Sequence, residues 1–261
     1  MAPLLFTIYL YLMFLKKILL SALISIPLFL TAQTKQVVSA NQIWMSYNNT
    51  TRITNKWGIW ADYQVKTKDA FFNNTDIIEK TLGVIYYPNE TVKFTGAFTK
   101  VDLHPTDGRI MIVPEYRPWQ MIQWQAKTGN IKWASWIRLE ERFKTKVLNN
   151  TTLANDYDFS YRLRYNVFSQ LPITKKKYQR GAISLVASNE IYLNFGKSIV
   201  YNVFDQNRVF GGLFFYTSKR DFLQFGYTKS YQQLSAGNKF KSIDAIKITF
   251  FNNLDFRRKK A

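Results

Sequence analysis

From Trp57 to Val65 the chain reads WGIWADYQV, so Trp57, Ile59, Ala61, Tyr63 and Val65 alternate with Gly58, Trp60, Asp62 and Gln64. Successive side chains of an extended strand point to opposite faces, which gives this segment one apolar face and one more polar face. The stretch Ala182 to Phe195 repeats the pattern. There Ile183, Leu185, Ala187, Ile191, Leu193 and Phe195 share a face interrupted by Asn189, while Ser184, Ser188, Glu190 and Asn194 lie opposite. Outside the N-terminal leader no helical apolar stripe and no glycine-rich strand-to-helix turn interrupts this two-residue period.

Strand length carries the argument further. Membrane-spanning strands need about 9 to 11 residues, against roughly 5 or 6 for an average soluble strand. Eleven segments read as strands, 42–49, 57–66, 80–87, 92–101, 110–125, 131–144, 159–169, 182–195, 209–218, 222–232 and 243–251, and most of them reach nine residues. Turn chemistry joins several: PNE at 88–90, HPTDG at 104–108, TGN at 128–130, SKRD at 218–221 and SAGN at 235–238. The pattern predicts an all-β chain, an antiparallel transmembrane β-barrel of the outer membrane, with a lipocalin-like barrel or a sandwich as the soluble alternative. Bacterial barrels of this kind have an even number of strands, so about twelve are expected, with ten as the alternative. The segment 110–125 is where the count is expected to change, because Pro114 and Pro118 interrupt it and proline cannot donate to a ladder.

The N-terminus supplies a route to that membrane. Lys16 and Lys17 precede an apolar run from Ile18 to Leu30 and a polar TAQ, the pattern of a secretory signal peptide. The expected division is a signal peptide over 1–32 with Met13 as an alternative start, a short lead over 33–41, one barrel domain over 42–256, and a basic tail over 257–261. A retained anchor over Leu4 to Leu30 is the rival reading. The chain has 261 residues, 47% of them hydrophobic and 17% aromatic, which suits one large domain whose strands meet a lipid–water boundary. It has no cysteine, which removes disulfides and thiolate metal sites.

Charged residues at every second position of WIRLEERF (136–143) and YRLRY (161–165) raise the functional question. Arg138, Glu140 and Arg142 share a face with Trp136, and Arg162 and Arg164 face away from Tyr161, Leu163 and Tyr165. Charge is costly on a lipid-facing strand surface, so these residues and Glu190 are expected inside the barrel as a network of arginine–carboxylate pairs that fills the lumen and fixes register. Glu115, Arg117 and Arg208 are candidates for the same network. Two functions are compatible with it: a non-catalytic structural or accessory subunit of an outer-membrane assembly, and a narrow anion-preferring pore. An outer-membrane hydrolase is the weaker rival, because the one histidine, His104, lies in a turn and Glu140 and Glu141 point to opposite faces. No cofactor and no metal site is expected. Basic patches at Lys175, Lys176, Lys177 and Arg180, and at Arg257, Arg258, Lys259 and Lys260, are expected at the surface, where outer-membrane lipid or another outer-membrane protein is the partner class. The net charge of +19 does not make the protein a nucleic-acid binder, since the leader directs it away from the genome and the basic residues interleave with strand faces.

Several pieces in order, PEYRPWQMIQW at 114–124, WIRLEERF at 136–143, YRLRY at 161–165, NEIYLNF at 189–195 and FDQNRVFGGL at 204–213, resemble the domain-of-unknown-function 2490 family, exported proteins of Bacteroidota and some other Gram-negative bacteria. The resemblance covers about Gln42 to Phe251. It implies an outer-membrane β-barrel and no established activity. Glu115, Arg117, Trp119 and Gln120 match the family's acidic residue and arginine before Trp-Gln, while Pro118 departs from it.

Overall fold

A computed structural model of the chain describes residues 35–68, 74–105 and 108–257. The expected signal peptide and most of the basic tail, including Arg258, Lys259 and Lys260, lie outside the described residues. The strands are β1 (Gln36–Arg52), β2 (Trp57–Thr67), β3 (Thr75–Tyr86), β4 (Val92–Leu103), β5 (Val113–Thr128), β6 (Ile131–Val147), β7 (Leu153–Pro172), β8 (Ile183–Phe195), β9 (Phe204–Tyr216), β10 (Phe222–Gln233) and β11 (Lys239–Asp255). Each pairs with its sequence neighbours, and β1 closes on β11, giving a barrel. No helix among the described residues is long and apolar enough to cross a membrane, which says nothing about crossing by strands.

The strand number is eleven, not the expected twelve, and the reason lies in the closure. A meander with an odd number of strands leaves its first and last strands running the same way, so they can meet only in parallel. They do so in unbroken register from Gln36↔Lys239 to Arg52↔Asp255. The parity rule describes all-antiparallel closure. The segment expected to hide a further strand is one strand, β5, with Pro114 and Pro118 inside it. Both prolines stand at even, outward positions. The β5–β6 pairing is interrupted at Arg117 and Pro118 and resumes with unchanged register on either side, Tyr116↔Phe143 and Trp119↔Glu140. Proline has therefore removed ladder bonds locally without bending the strand out of the sheet. The expected lead over 33–41 is also revised, because Gln36 to Asn41 belong to β1. Their partners come from the other end of the chain, and no local apolar pattern marks them.

We call the rim where β1 begins proximal and the rim where it ends distal. Proximal connections are 68–74, 104–112, 148–152, 196–203 and 234–238; distal ones are 53–56, 87–91, 129–130, 173–182 and 217–221. PNE, SKRD and SAGN fall in these connections, and TGN starts on Thr128, the last residue of β5; HPTDG includes 106–107, which lie outside the described residues. The tightest is Gly129–Asn130, where Gly129 takes φ 57°, the left-handed backbone that a two-residue hairpin needs. In 87–91 the Asn89 Oδ1 accepts bonds from the backbone N–H of Thr91 at 2.9 Å and Val92 at 2.7 Å.

Alternation sorts the strand side chains as the sequence pattern requires. Leu82, Val84, Phe94, Phe98, Phe225 and Tyr227 stand exposed on the outer wall. Near the proximal rim Phe143, Phe159, Tyr161 and Phe195 form an outward aromatic ladder across β6, β7 and β8, with successive ring centroids 4.8, 4.8 and 5.2 Å apart. On the inner wall toward the distal rim Phe210 and Phe214 are buried in a cluster with Val186 and Tyr216, against which Phe168, Phe222 and Phe251 pack. The cross-strand pair Gly212↔Gly226 makes room for this cluster. A Cβ at Gly212 would lie 2.8 Å from the Phe210 ring, and one at Gly226 would lie 2.7 Å from it.

Candidate functional site

The lumen holds a cavity of about 940 Å3. Thirteen lysines and arginines and seven aspartates and glutamates line it, a surplus of six positive charges. Register explains how the middle of the lumen is organised. Glu140 of β6 stands directly opposite Arg162 of β7, and Arg138 opposite Arg164. Arg162 donates from Nε and Nη2 to Glu140 Oε2 at 2.8 and 2.5 Å. Arg164 Nη1 donates to Glu140 Oε1 at 2.6 Å, while Arg138 Nη1 approaches the same oxygen at 3.7 Å. The carboxylate of Glu140, 2% exposed, thus holds two like-charged neighbours that would otherwise repel across the ladder.

Two further carboxylates extend this constellation. Arg162 Nη1 donates to Asp205 Oδ2 at 3.0 Å, and Arg164 Nε donates to Glu190 Oε1 at 2.6 Å. Arg164 also reaches the Tyr192 hydroxyl at 3.0 Å. Glu140 and Glu190 are therefore joined through a guanidinium, which places a cation where a two-carboxylate hydrolytic site needs a proton donor.

Glu115 organises a second constellation. Arg117 Nε donates to its Oε1 at 2.6 Å, and Arg142 grips both its oxygens at 2.6 and 3.2 Å. The carboxylate partner of Arg142 is thus Glu115 rather than Glu140. Asn194 accepts from Arg142 at 3.4 Å. Arg208 stands apart: it donates to Gln206 at 3.1 Å and lies over the rings of Trp44 at 4.9 Å and Tyr192 at 4.7 Å, with no carboxylate within 4 Å among the described residues.

Aromatic rings span the space between the walls. Trp60 of β2 meets Trp119 of β5 edge to face at 5.4 Å, and Arg138 lies 3.9 Å above Trp119. Tyr192 is surrounded by Arg162, Arg164 and Arg208 at 5.3, 4.4 and 4.7 Å from its centroid. Sequence reasoning missed Tyr192, although its even position beside Ser188, Glu190 and Asn194 marks it as inward. It also missed Asp205 and the Lys66–Glu79 pair, whose atoms are 2.5 Å apart.

At the distal rim Lys175, Lys176, Lys177 and Arg180 are exposed in connection 173–182. Lys177 donates to Asn130 at 2.8 Å, which ties this connection to the β5–β6 turn. Tyr178 turns back under it, with Lys132 Nζ 3.5 Å from its ring, and burial raises its phenol above the usual value. Arg257 pairs with Asp255 at 2.8 Å and lies 3.7 Å from Glu90. Hydrogen bonds from Arg52 hold the Glu90 carboxyl below its ordinary value. His104 lies at the proximal rim, outside the cavity lining, with Nε2 buried and unpartnered. No group of three or more histidine or carboxylate side chains suited to a metal occurs among the described residues.

A closed all-β wall, apolar outside and charged within, is that of an outer-membrane β-barrel. The family model described as protein of unknown function (DUF2490) matches residues 41–241, and the chain belongs to that family. No curated protein and no solved structure matches the chain.

Proposed function

We propose that the protein is a non-catalytic structural or accessory barrel of the outer membrane, whose lumen is closed to ions at its waist by the arginine–carboxylate lattice. The observation that carries this reading is Glu140 of β6, held by two guanidinium groups of β7 and flanked by the Trp60–Trp119 contact that bridges β2 and β5. A barrel of this strand number is wide enough for a channel only where long side chains do not cross it. The cavity lining contains no histidine, and its carboxylates nearest the centre are engaged by arginines. The runner-up is a narrow anion-preferring pore, favoured by the positive surplus of the lining.

Planar-bilayer recording separates the two. The wild-type protein is expected to be silent, and Glu140→Ala with Arg164→Ala to open a leak. Steady anion-selective current from the wild type makes the protein a pore. A silent double variant removes the lattice as the closing element.

A further inference from the structure

The outer wall carries charge where lipid gives it no partner. Lys80 of β3 belongs to the exposed outward series Lys80, Leu82, Val84 and Tyr86. It stands directly opposite Lys100 of β4, next to the Leu82↔Phe98 pair. Both lysines reach the one carboxylate of Asp102, at 3.2 and 3.4 Å, so the patch keeps one positive charge in excess. It borders an outer groove of about 260 Å3 lined by Tyr47, Tyr63, Leu82 and Phe98. On β6, Glu141 points outward between the pairs Leu139↔Leu163 and Phe143↔Phe159, and it makes no hydrogen bond or ion pair among the described residues. The β5–β6 ladder is interrupted beside it, at Arg117 and Pro118. Charge and unpaired backbone are both disfavoured against lipid, so neither patch is built to face an acyl chain. The outward pair Lys229 and Asp244 differs, because it is balanced within itself at 2.7 Å.

We propose that the two patches meet across a contact between copies of this chain, Glu141 of one copy against the lysine patch of the next, and that the barrel is a cyclic homo-oligomer. The charges cancel, one positive in excess on β3 and β4 against one negative on β6. The levels agree, because the ladder row through Lys80↔Lys100, Lys100↔Tyr116 and Tyr116↔Phe143 ends two residues from Glu141. The spacing closes as well. Along the wall β6 lies two strands from β4 and three from β3, so one copy presents the two patches on different sectors and the contact is head to tail. Patches roughly a quarter of the circumference apart, repeated about an axis along the membrane normal, close into a ring of about three or four copies. This goes beyond the structural reading, because self-assembly makes no demand on whether the lumen conducts.

The test uses the full chain, exported to outer membranes and extracted in mild detergent. Native mass spectrometry is expected to show one oligomer of about three or four copies. Glu141→Leu, which matches the apolar residues around it, is expected to shift that oligomer to monomer. Because the chain has no cysteine, Leu82→Cys with Leu139→Cys reports the contact directly. Within one copy these positions are three strands apart, roughly 14 Å at about 4.8 Å per strand, which is beyond the span of a disulfide. Every disulfide therefore joins two copies. Mild oxidation is expected to give a covalent ladder that stops at the ring, and either cysteine alone to give none. Heat-modified gel migration reports whether each variant is folded, and the cysteine pair keeps every charge, so it tests the contact even if Glu141→Leu fails to fold. Any of four results overturns the proposal: a monomeric wild type, an oligomer that Glu141→Leu leaves unchanged, no ladder from the cysteine pair, or covalent dimers from Leu82→Cys alone, the mark of a two-fold contact.

Discussion

At the middle of the lumen, on β5 to β9, the space is filled by side chains that must find partners; toward the distal rim, on β7 to β11, it is filled by side chains that need only fit. Glu140, Arg162 and Arg164 draw their contacts from β6 and β7, and Asp205 and Glu190 bring in β9 and β8. Phe214 touches Phe168, Phe222 and Phe251 with centroids 5.6, 4.6 and 5.9 Å away and has no polar atom to satisfy. The same alternation puts both sets inside. What differs is how damage spreads. Removing one partner from a charge lattice strands the others in a poorly solvated space, whereas removing one ring leaves a void whose cost stays with the surrounding rings.

Glu140→Ala gives the largest expected effect. It takes the shared carboxylate from Arg162 and Arg164 and leaves Arg138 facing Arg164 with Glu190 as the one carboxylate still on Arg164, so stability should fall by about 3 to 5 kcal/mol. Thermal loss of the fast-migrating folded form on gels measures it. A fall of less than about 1 kcal/mol would mean that water serves the arginines as well as the carboxylate does, and the contrast between the two regions would collapse.

Phe214→Ala comes next, at about 2 to 4 kcal/mol, somewhat below a fully enclosed phenylalanine because the cavity already borders the ring. Phe214→Leu should recover more than half of that loss in the same melting assay. No recovery would show that ring stacking, not volume, holds the distal cluster together.

Arg138→Met should have the smallest effect, within about 1 kcal/mol of wild type. Arg138 approaches Glu140 only at 3.7 Å and its Nε has no partner, so methionine removes a repulsion with Arg164 along with the stacking on Trp119. A loss as large as that of Glu140→Ala would place Arg138 among the necessary members of the lattice.

The faces of β2, β6, β7 and β8 were legible in the sequence because alternation is local: the inward set Arg138, Glu140, Arg142, Arg162, Arg164 and Glu190 follows from two-residue periodicity and the cost of charge against lipid. Which carboxylate each arginine binds was not legible. Arg142 reaches diagonally to Glu115 on the preceding strand, and Arg162 reaches Asp205 two strands away; both depend on register and stagger that no single strand encodes. The strand count was misread for a related reason. Eleven segments were visible, and a rule about closure overrode them, although closure is decided by strands at opposite ends of the chain. The prolines of β5 also misled, because their effect on the ladder depends on the face they occupy and on a neighbour that keeps its register across the gap.

The parallel seam between β1 and β11 has a consequence for the order in which this barrel is made. Its side-chain contacts, such as Ser46 to Thr249 at 2.6 Å, join residues 203 positions apart, whereas every other strand pairing joins consecutive strands of the chain. Loop closure over such a distance is the slowest kind of contact to form, so neighbouring hairpins can zip together first. Until the last strand is laid down, the molecule is an open sheet with two unsatisfied edges, each a template for a strand of another chain. The seam is thus the point at which the chain ceases to be adhesive, and any factor that guides it to the membrane has to guard β1 for the whole time that β11 is missing.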